Sequence, residues 1–234
     1  MGLVVYIGFA QPDERIDMAG RYARNVQRFE ELSGALCVVI PYDRVSRDLM
    51  QRLAPDAVIM SGFGRSFQQY DVKSFFGVAD WVQSTEVPTL AICGSHQLLG
   101  FIFTTDLRSV ERLEDQPMRR LRPGEPVADP NYHPEFFMER GFYCVQINEA
   151  GCADPLFAGL GREAYFCESH YCEVKQLPSG FELLASTPEC RIQAMRHRNR
   201  PLYGVQFHPE EYTEKFPAGK KLLENFFSLA FGGG

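Results

Sequence analysis

Residues 89–97 read Thr-Leu-Ala-Ile-Cys-Gly-Ser-His-Gln, and this stretch decides the fold class. An apolar run ends at Cys93 and is followed by small residues and then by a helix-compatible segment at 97–103. This order predicts a sharp turn between a buried strand and a helix, with the cysteine side chain exposed above the sheet. The small side chains of Ala91, Gly94 and Ser95 suit the close approach of neighbouring elements at such a turn.

The first half of the chain repeats a strand-and-helix pattern around this turn. Apolar runs occur at 3–9, 37–41, 57–60 and 89–93, and helix-compatible stretches, including 17–32 and 71–84, lie between them. Alternation of this kind predicts a doubly wound α/β fold, flavodoxin-like, with a mostly parallel sheet. Ligands are expected beyond the carboxyl ends of its strands.

The second half predicts an antiparallel extension of the same sheet. Four further strand candidates with short connections lie at 142–147, 165–174, 181–185 and 192–207. The last of these is interrupted at 198–201, which predicts a hairpin. Residues 218–231 place apolar side chains on one face and predict a terminal helix that packs on the core.

Length and composition favour one domain over residues 1–234, with an insertion at about 110–140. The chain is 45% apolar, enough for one full core, and shows no repeat or linker that would divide it. The insertion carries five prolines and mixed charges. Such a segment is either a lid over the site or a disordered surface insertion, and the sequence leaves both open.

Charge and cysteine content restrict the partners and the compartment. The net charge of −6, without clusters of Lys or Arg, argues against nucleic-acid binding. No apolar stretch approaches the roughly 20 residues that a membrane helix needs. Seven cysteines in a chain that shows no secretion signal favour free thiols, so we expect a soluble cytoplasmic protein.

Cys93 has two interpretations on its local sequence alone. A helix N-terminus just beyond it would lower the pKa of the thiol and present amide N–H groups to a developing negative charge, which favours a nucleophile. A lone cysteine after an apolar strand is also a common structural core residue. The distinction depends on a base elsewhere in the chain.

A candidate base lies at 204–210, Gly-Val-Gln-Phe-His-Pro-Glu. Pro209 keeps His208 out of the helical region, and residues i and i+2 of an extended segment project to the same side. The carboxylate of Glu210 is therefore expected to approach the imidazole of His208 and orient it. Cys93, His208 and Glu210 together form a candidate catalytic triad.

The segments at 92–99 and 203–210 resemble the two signature motifs of class I (triad) glutamine amidotransferases. Residues 58–62, 154–160 and 168–181 resemble further segments of that family, in the same order along the chain. The resemblance implies an enzyme that hydrolyses the side-chain amide of glutamine through a γ-glutamyl thioester. It also implies that the ammonia passes to a partner synthase subunit, and that neither a cofactor nor a metal is needed.

Residue roles follow from the resemblance position by position. It implies that Cys93 is the nucleophile, that His208 is the general base and acid, and that Glu210 orients it. Backbone amides of Phe63 and Gly94 would form the oxyanion hole. Four further residues would contact the substrate: Gln97, Ser169, His170 and Tyr171.

Three alternatives remain beside this interpretation. A stand-alone γ-glutamyl hydrolase or peptidase would use the same triad, and 234 residues leave no room for a synthase domain. A catalytically inactive binding module is the second, because the family usually has glycine where this chain has Ala91, Ser95 and Phe63. A metal site of Cys167, His170 and Cys172 is disfavoured, because Cys167 falls on the opposite face of a strand.

Overall fold

The computed structural model describes residues 2–232, which form nine strands and six α-helices. The strands are β1 Leu3–Gly8, β2 Leu36–Pro41, β3 Ala57–Met60, β4 Thr89–Ile92, β5 Glu139–Ile147, β6 Glu163–His170, β7 Phe181–Ser186, β8 Ala194–His197 and β9 Leu202–Val205. The helices are α1 Arg15–Ser33, α2 Arg47–Leu53, α3 Phe76–Val82, α4 Gly94–Thr104, α5 Glu149–Ala153 and α6 Ala218–Phe231.

All nine strands belong to one sheet in the order β2-β1-β3-β4-β9-β8-β7-β5-β6. The first five are parallel to one another, in the order typical of flavodoxin-like folds. The remaining four extend the sheet by antiparallel pairing, which begins with the hairpin of β8 and β9. The predicted α/β class and its antiparallel extension are therefore confirmed.

Helices cover both faces of the sheet because successive strand residues point to opposite sides. Within β1, Val4 and Tyr6 join the core that packs on α1 and α6, whereas Val5 and Ile7 join the core that packs on α2, α3 and α4. The terminal helix α6 occupies the predicted range and buries a row of side chains, namely Leu222, Leu223, Phe226 and Phe227. Among the described residues, no helix combines the length and apolarity needed to cross a membrane.

Two predicted elements differ in the structure. The helix predicted at 71–84 begins as a 3-10 turn, Val72–Phe75, and becomes α-helical only at Phe76. The strand predicted at 165–174 ends at His170. There the chain leaves the sheet and bonds to the 110–140 insertion, since the Tyr171 carbonyl accepts from the Met118 amide and the Glu173 amide donates to the Gln116 carbonyl.

The insertion at 110–140 lies over the carboxyl end of the sheet. Its last two residues, Glu139 and Arg140, are the first two of β5 rather than loop residues. The rest contains no helix or extended strand in the described chain, but isolated bridges pair Pro117 with Cys172 and Arg120 with Phe136. These contacts attach the segment to residues 171–173 and to itself.

The contact between α6 and the chain just after β9 generates a stability prediction. A Cβ at Gly219 would lie 2.2 Å from the carbonyl oxygen of Pro209. Gly219→Ala should therefore lower the free energy of unfolding by about 1–3 kcal/mol, although alanine is the better helix former. Gly20→Ala, in α1 with open space around it, should raise it by up to about 1 kcal/mol. Urea denaturation measures both, and a Gly219→Ala protein as stable as wild type would contradict the prediction.

Candidate active site

The turn after β4 has the geometry of a nucleophile elbow. Cys93 adopts φ +51° and ψ −111°, a conformation that residues with a Cβ rarely occupy, and α4 begins at Gly94. Two hydrogen bonds hold this strained residue, from the Cys93 amide to the Val205 carbonyl (2.8 Å) and from the Gln97 amide to the Cys93 carbonyl (3.0 Å). The thiol is thereby presented at the N-terminus of a helix.

Ser95 fits the elbow because its hydroxyl has partners on both sides. Its Oγ accepts from the Ile92 amide at 2.8 Å and donates to the Met60 carbonyl at 2.8 Å. The side chain is fully buried. A hydroxymethyl group at this position therefore fastens the elbow to the end of β3.

His208 and Glu210 come to Cys93 from the end of β9. His208 Nδ1 lies 2.8 Å from Glu210 Oε1, and the charge of its imidazole acts on the Cys93 thiol. None of the three residues is more than 6% exposed. Gly62 makes this possible, since a Cβ there would lie 2.9 Å from the His208 ring and 3.1 Å from the Cys93 side chain.

The path from His208 to Glu210 differs from the extended segment expected. His208 is held out of the helical region as predicted, with ψ +88°. Pro209–Glu211 then form a 3-10 turn, and this turn, not strand alternation, brings the carboxylate of Glu210 back to the imidazole. Proline suits this turn because its fixed φ fits the first helical position.

Electrostatics favour a charged triad. Burial raises the pKa of the Cys93 thiol, but the positive charge of His208 outweighs this effect, so the net pKa is lowered. Burial likewise opposes the charged form of His208, yet Glu210 and Cys93 hold the pKa of the imidazole well above its usual range. The pKa of Glu210 is lowered because His208 overcomes its burial. All three shifts favour the charged forms, namely a thiolate, an imidazolium and a carboxylate.

Gln206 is a site residue that the sequence interpretation did not assign. Its amide nitrogen lies 3.6 Å from Cys93 Sγ, and its Oε1 accepts from Gln97 at 3.1 Å. Gln97 also donates to the Cys172 carbonyl at 2.9 Å. The predicted substrate residue Gln97 is thus oriented by two neighbours at the wall of the site. The only hint in the sequence was the position of Gln206 two residues before His208.

The predicted substrate segment 169–171 borders the thiol, and its three residues have different surroundings. The carbonyl oxygen of Ser169 is 4.0 Å from Cys93 Sγ. The Tyr171 hydroxyl donates to Asp115 of the insertion and lies 3.2 Å from Ser66 Oγ. The imidazole of His170 is buried behind the segment.

The two residues predicted to form the oxyanion hole lie beside each other. Gly94 is the first residue of α4, where backbone N–H groups lack helical partners. The Phe63 ring packs against Gly94 and stacks on Phe9 with a centroid separation of 5.3 Å. Phe63 is larger than the glycine usual in the family at this position, and its ring fits into an aromatic cluster. The backbone of Phe63 lies beside the elbow.

A cavity of about 330 Å³ opens beside Cys93. Its walls come from the loop after β3, the segment after β6 and the insertion, and include Phe63, Gln97, Ser169 and Tyr171. From the insertion, Tyr132 donates to the Gly64 carbonyl, and the His133 ring stacks on Tyr171 with centroids 3.8 Å apart. These contacts join the insertion to the loop after β3 and to the segment after β6 at the wall of the cavity.

His170 belongs to a buried ion-pair cluster. Within residues 2–232, the side chains grouped closely enough to hold a metal are Glu139, His170 and Cys190, not the cysteines considered from the sequence. However, His170 Nδ1 faces the Cys172 carbonyl at 2.8 Å and Nε2 faces Glu139 at 3.0 Å. Burial opposes its charge, but Glu139 and Glu168 raise the pKa of His170 to about 10. An imidazolium has no lone pair for a metal.

Comparison with known proteins places this arrangement in a family. The family model "Glutamine amidotransferase class-I" matches residues 15–230. The chain belongs to the class I glutamine amidotransferases. One of the subunits of the glutamine-hydrolysing GMP synthase of Pyrococcus furiosus is 30% identical to it over 215 residues, which cover 92% of this chain and 96% of that subunit.

Other relatives are either much longer than this chain or less similar to it in sequence. The glutamine-hydrolysing GMP synthase of Clostridium tetani is 29% identical over 211 residues, which cover 90% of this chain but only 35% of that protein. Among solved structures, a candidate GMP synthase subunit from Thermoplasma acidophilum superposes with a TM-score of 0.70 at 22% identity, covering 99% of this chain and 96% of that one. The glutaminase domain of Trypanosoma brucei CTPS with bound acivicin gives 0.68 at 16% identity, covering 98% and 94%. At these identities the structures establish the fold.

The lowered pKa of Cys93 predicts how this amidotransferase reacts with iodoacetamide. Because a thiolate forms at lower pH than in an ordinary thiol, Cys93 should be alkylated at pH 7 faster than Cys144, whose pKa is raised by its surroundings. His208→Gln removes the stabilising charge but leaves the burial, so the pKa of Cys93 should rise and its alkylation at pH 7 should fall about tenfold or more. Peptide mass mapping across pH gives both rates, and an unchanged midpoint would contradict the charged triad.

The two hydrogen bonds of Ser95 predict a stability effect in the same elbow. Ser95→Ala leaves the buried Ile92 amide without its partner, so the free energy of unfolding should fall by about 1–3 kcal/mol. Ser84→Ala, which removes an exposed hydroxyl bonded to the Asp80 carbonyl, should change it by less than about 0.5 kcal/mol. Thermal and urea denaturation compare the pair, and equal stabilities of both variants would argue against the fastening role.

Proposed function

We propose that the chain hydrolyses the side-chain amide of glutamine, with Cys93 as the nucleophile. The observation that carries the proposal is the buried Cys93–His208–Glu210 array at the wall of a substrate-sized cavity. Membership in the class I glutamine amidotransferases supports the choice of a glutamine amide as substrate. An inactive binding module is disfavoured, because a strained elbow and three buried charges are costly features to keep without chemistry.

The proposed reaction begins with attack of the Cys93 thiolate on the amide carbon. A bond forms between Sγ and carbon, and the carbonyl electron pair moves to oxygen, where the amides of Phe63 and Gly94 stabilise the oxyanion. Collapse of this tetrahedral species breaks the carbon–nitrogen bond, and His208 donates a proton to the departing nitrogen, which leaves as ammonia. A γ-glutamyl thioester remains on Cys93.

Water completes the cycle. Neutral His208 removes a proton from water, which attacks the thioester and releases glutamate, and the sulfur leaves as the thiolate. Glu210 holds the imidazole in the required tautomer and stabilises the imidazolium before ammonia release and after water attack. Gln206 donates toward the sulfur throughout and so favours its anionic form.

The relatives also support a proposal for where the ammonia goes, and the cysteines support one for the cellular compartment. Those named above hydrolyse glutamine or are subunits of enzymes that do, and none of these is a γ-glutamyl hydrolase. We therefore extend the proposal to a separate synthase subunit that consumes the ammonia. All seven cysteines are free thiols, which fits a reducing compartment such as the cytoplasm.

Ammonia release from glutamine by the purified chain tests the proposal. Cys93→Ala should abolish turnover, and Glu210→Gln should lower kcat by about two to four orders of magnitude through loss of the oriented base. Cys152→Ala, an exposed cysteine outside the site, should retain full activity. A γ-glutamyl amide panel run in parallel separates the hydrolase alternative, which predicts faster turnover of substituted amides than of glutamine.

A chloroketone analogue of glutamine supplies a second measurement. It should form one adduct at Cys93, seen by intact mass and peptide mapping, even if turnover requires the synthase partner. A wild-type chain that shows neither turnover nor an adduct would refute the proposed function.

A further inference from the structure

Three buried ionisable groups take no part in the proposed chemistry. Glu139, Glu168 and His170 are each 3% exposed or less. Glu139 begins β5 and lies directly opposite His170, the last residue of β6. Buried charges are costly unless each one is paired and hydrogen-bonded, so this cluster needs partners on every side.

Glu139 is fixed by donors from three other parts of the chain. Its Oε1 accepts from the Thr187 hydroxyl at 2.6 Å, and its Oε2 accepts from the Gln193 side-chain amide at 2.7 Å. His170 Nε2 lies 3.0 Å from the same Oε2. The carboxylate therefore holds one edge of the imidazole ring at a defined place in the core.

The opposite edge of the ring faces a backbone carbonyl. His170 Nδ1 lies 2.8 Å from the Cys172 carbonyl oxygen, which also accepts from the Gln97 side-chain amide at 2.9 Å. Gln97 in turn donates to Gln206, whose amide nitrogen is 3.6 Å from Cys93 Sγ. A continuous series of hydrogen bonds thus leads from the buried ring to the sulfur.

A second route joins the same groups. Gln193, whose side chain donates to Glu139, accepts through its own carbonyl from the Gln206 backbone amide at 2.8 Å. Gln206 is therefore held by its side chain, through Gln97, and also by its backbone. Movement of Glu139 would disturb both routes.

Both ring contacts of His170 require its charge. An imidazolium donates from both nitrogens, whereas a neutral ring donates from only one. Burial opposes the charged form, but Glu139 and Glu168 raise the pKa of His170 to about 10, which favours the imidazolium at neutral pH. In that form the ring donates to Glu139 and to the Cys172 carbonyl at the same time.

We infer that Glu139 and His170 are positioning residues for the nucleophile, an inference that rests on the proposed amide hydrolysis at Cys93. They hold the Cys172 carbonyl and the two glutamines bonded beyond it, which directs the Gln206 amide at the sulfur. A hydrogen bond to the sulfur favours its anionic form. Loss of this orientation should therefore slow the chemical step more than it weakens the binding of glutamine.

Two replacements of His170 separate this role from a purely structural one. His170→Asn places an amide nitrogen near the position of Nδ1 and can keep the bond to the Cys172 carbonyl. His170→Gln reaches the position of Nε2 and can keep the bond to Glu139. Both remove the same positive charge, so a difference between them reports on the bond that each retains.

The kinetics of glutamine hydrolysis should distinguish the two variants. His170→Gln should lower kcat about tenfold with KM changed less than about twofold, and His170→Asn should be about fivefold faster than His170→Gln. Rates are referred to the fraction of sites that the glutamine chloroketone labels, so unfolded molecules do not enter the comparison.

Stability should follow the opposite order. His170→Asn leaves the buried Glu139 carboxylate without the donor that His170→Gln keeps, so the Asn variant should unfold at a lower urea concentration. If the cluster only stabilises the fold, activity should follow stability, and His170→Gln should be the faster enzyme.

The pH dependence of Cys93 alkylation gives the same comparison without turnover. Its midpoint should lie at higher pH in His170→Gln than in His170→Asn, because the Gln variant loses the orientation of the donor to the sulfur. His197→Gln, on β8 and outside this series of hydrogen bonds, is the matched control and should behave as wild type.

Combination with Gln206→Met tests the path. If the cluster acts through Gln206, the double variant His170→Gln/Gln206→Met should be no slower than Gln206→Met alone. Glu139→Gln loses the charge that fixes the ring and should show the same non-additivity, and it replaces the His170 variants if these do not fold. Effects that multiply, or a His170→Asn enzyme no faster than His170→Gln, would overturn the positioning role while leaving the proposed function intact. A wild-type chain without turnover or labelling would overturn both.

Discussion

The candidate site depends on the parallel pairing of β4 with β9. Ile92 is in register with Val205, and the Cys93 amide donates to the Val205 carbonyl at 2.8 Å. Because parallel strands end at the same edge of a sheet, the residues that follow each strand emerge side by side. The His208 amide also donates to the Cys167 carbonyl at 2.8 Å, so β6 holds the backbone of His208 as well. A shift of either strand by one residue would separate the thiol from the imidazole.

Much of this arrangement could be predicted because its signals are local. Each parallel strand is a short apolar run, and the elbow combines a strand, small residues and a helix within 89–97. The contact between His208 and Glu210 could be predicted because the two residues are only two positions apart. The sequence explanation of their contact was nevertheless wrong in detail, since a 3-10 turn at Pro209 replaces the extended segment. The local sequence pattern therefore predicted which two residues meet, but not the backbone conformation that connects them.

What could not be predicted depends on contacts between distant segments. Nothing near His170 in sequence indicates that Glu139 will face its ring, since the contact follows from the pairing of β5 with β6. The same pairing turns Arg140, at the end of an insertion without a clear period, into a wall of the cavity. The early end of β6 has a similar origin, because hydrogen bonds from the insertion compete with the sheet for residues 171–173. Tertiary partners override local preference in each case.

The charges of Cys93, His208 and Glu210 depend on one another. Glu210 is buried, and its Oε2 lacks a hydrogen-bond partner among the described residues, so the carboxylate relies on His208, with Arg21 4.0 Å away. An under-stabilised carboxylate holds the imidazolium proton more firmly. That imidazolium in turn stabilises the Cys93 thiolate against burial. Because a buried charge without a partner is far more costly than a buried pair, the energy that favours the thiolate comes from the array and not from any single contact.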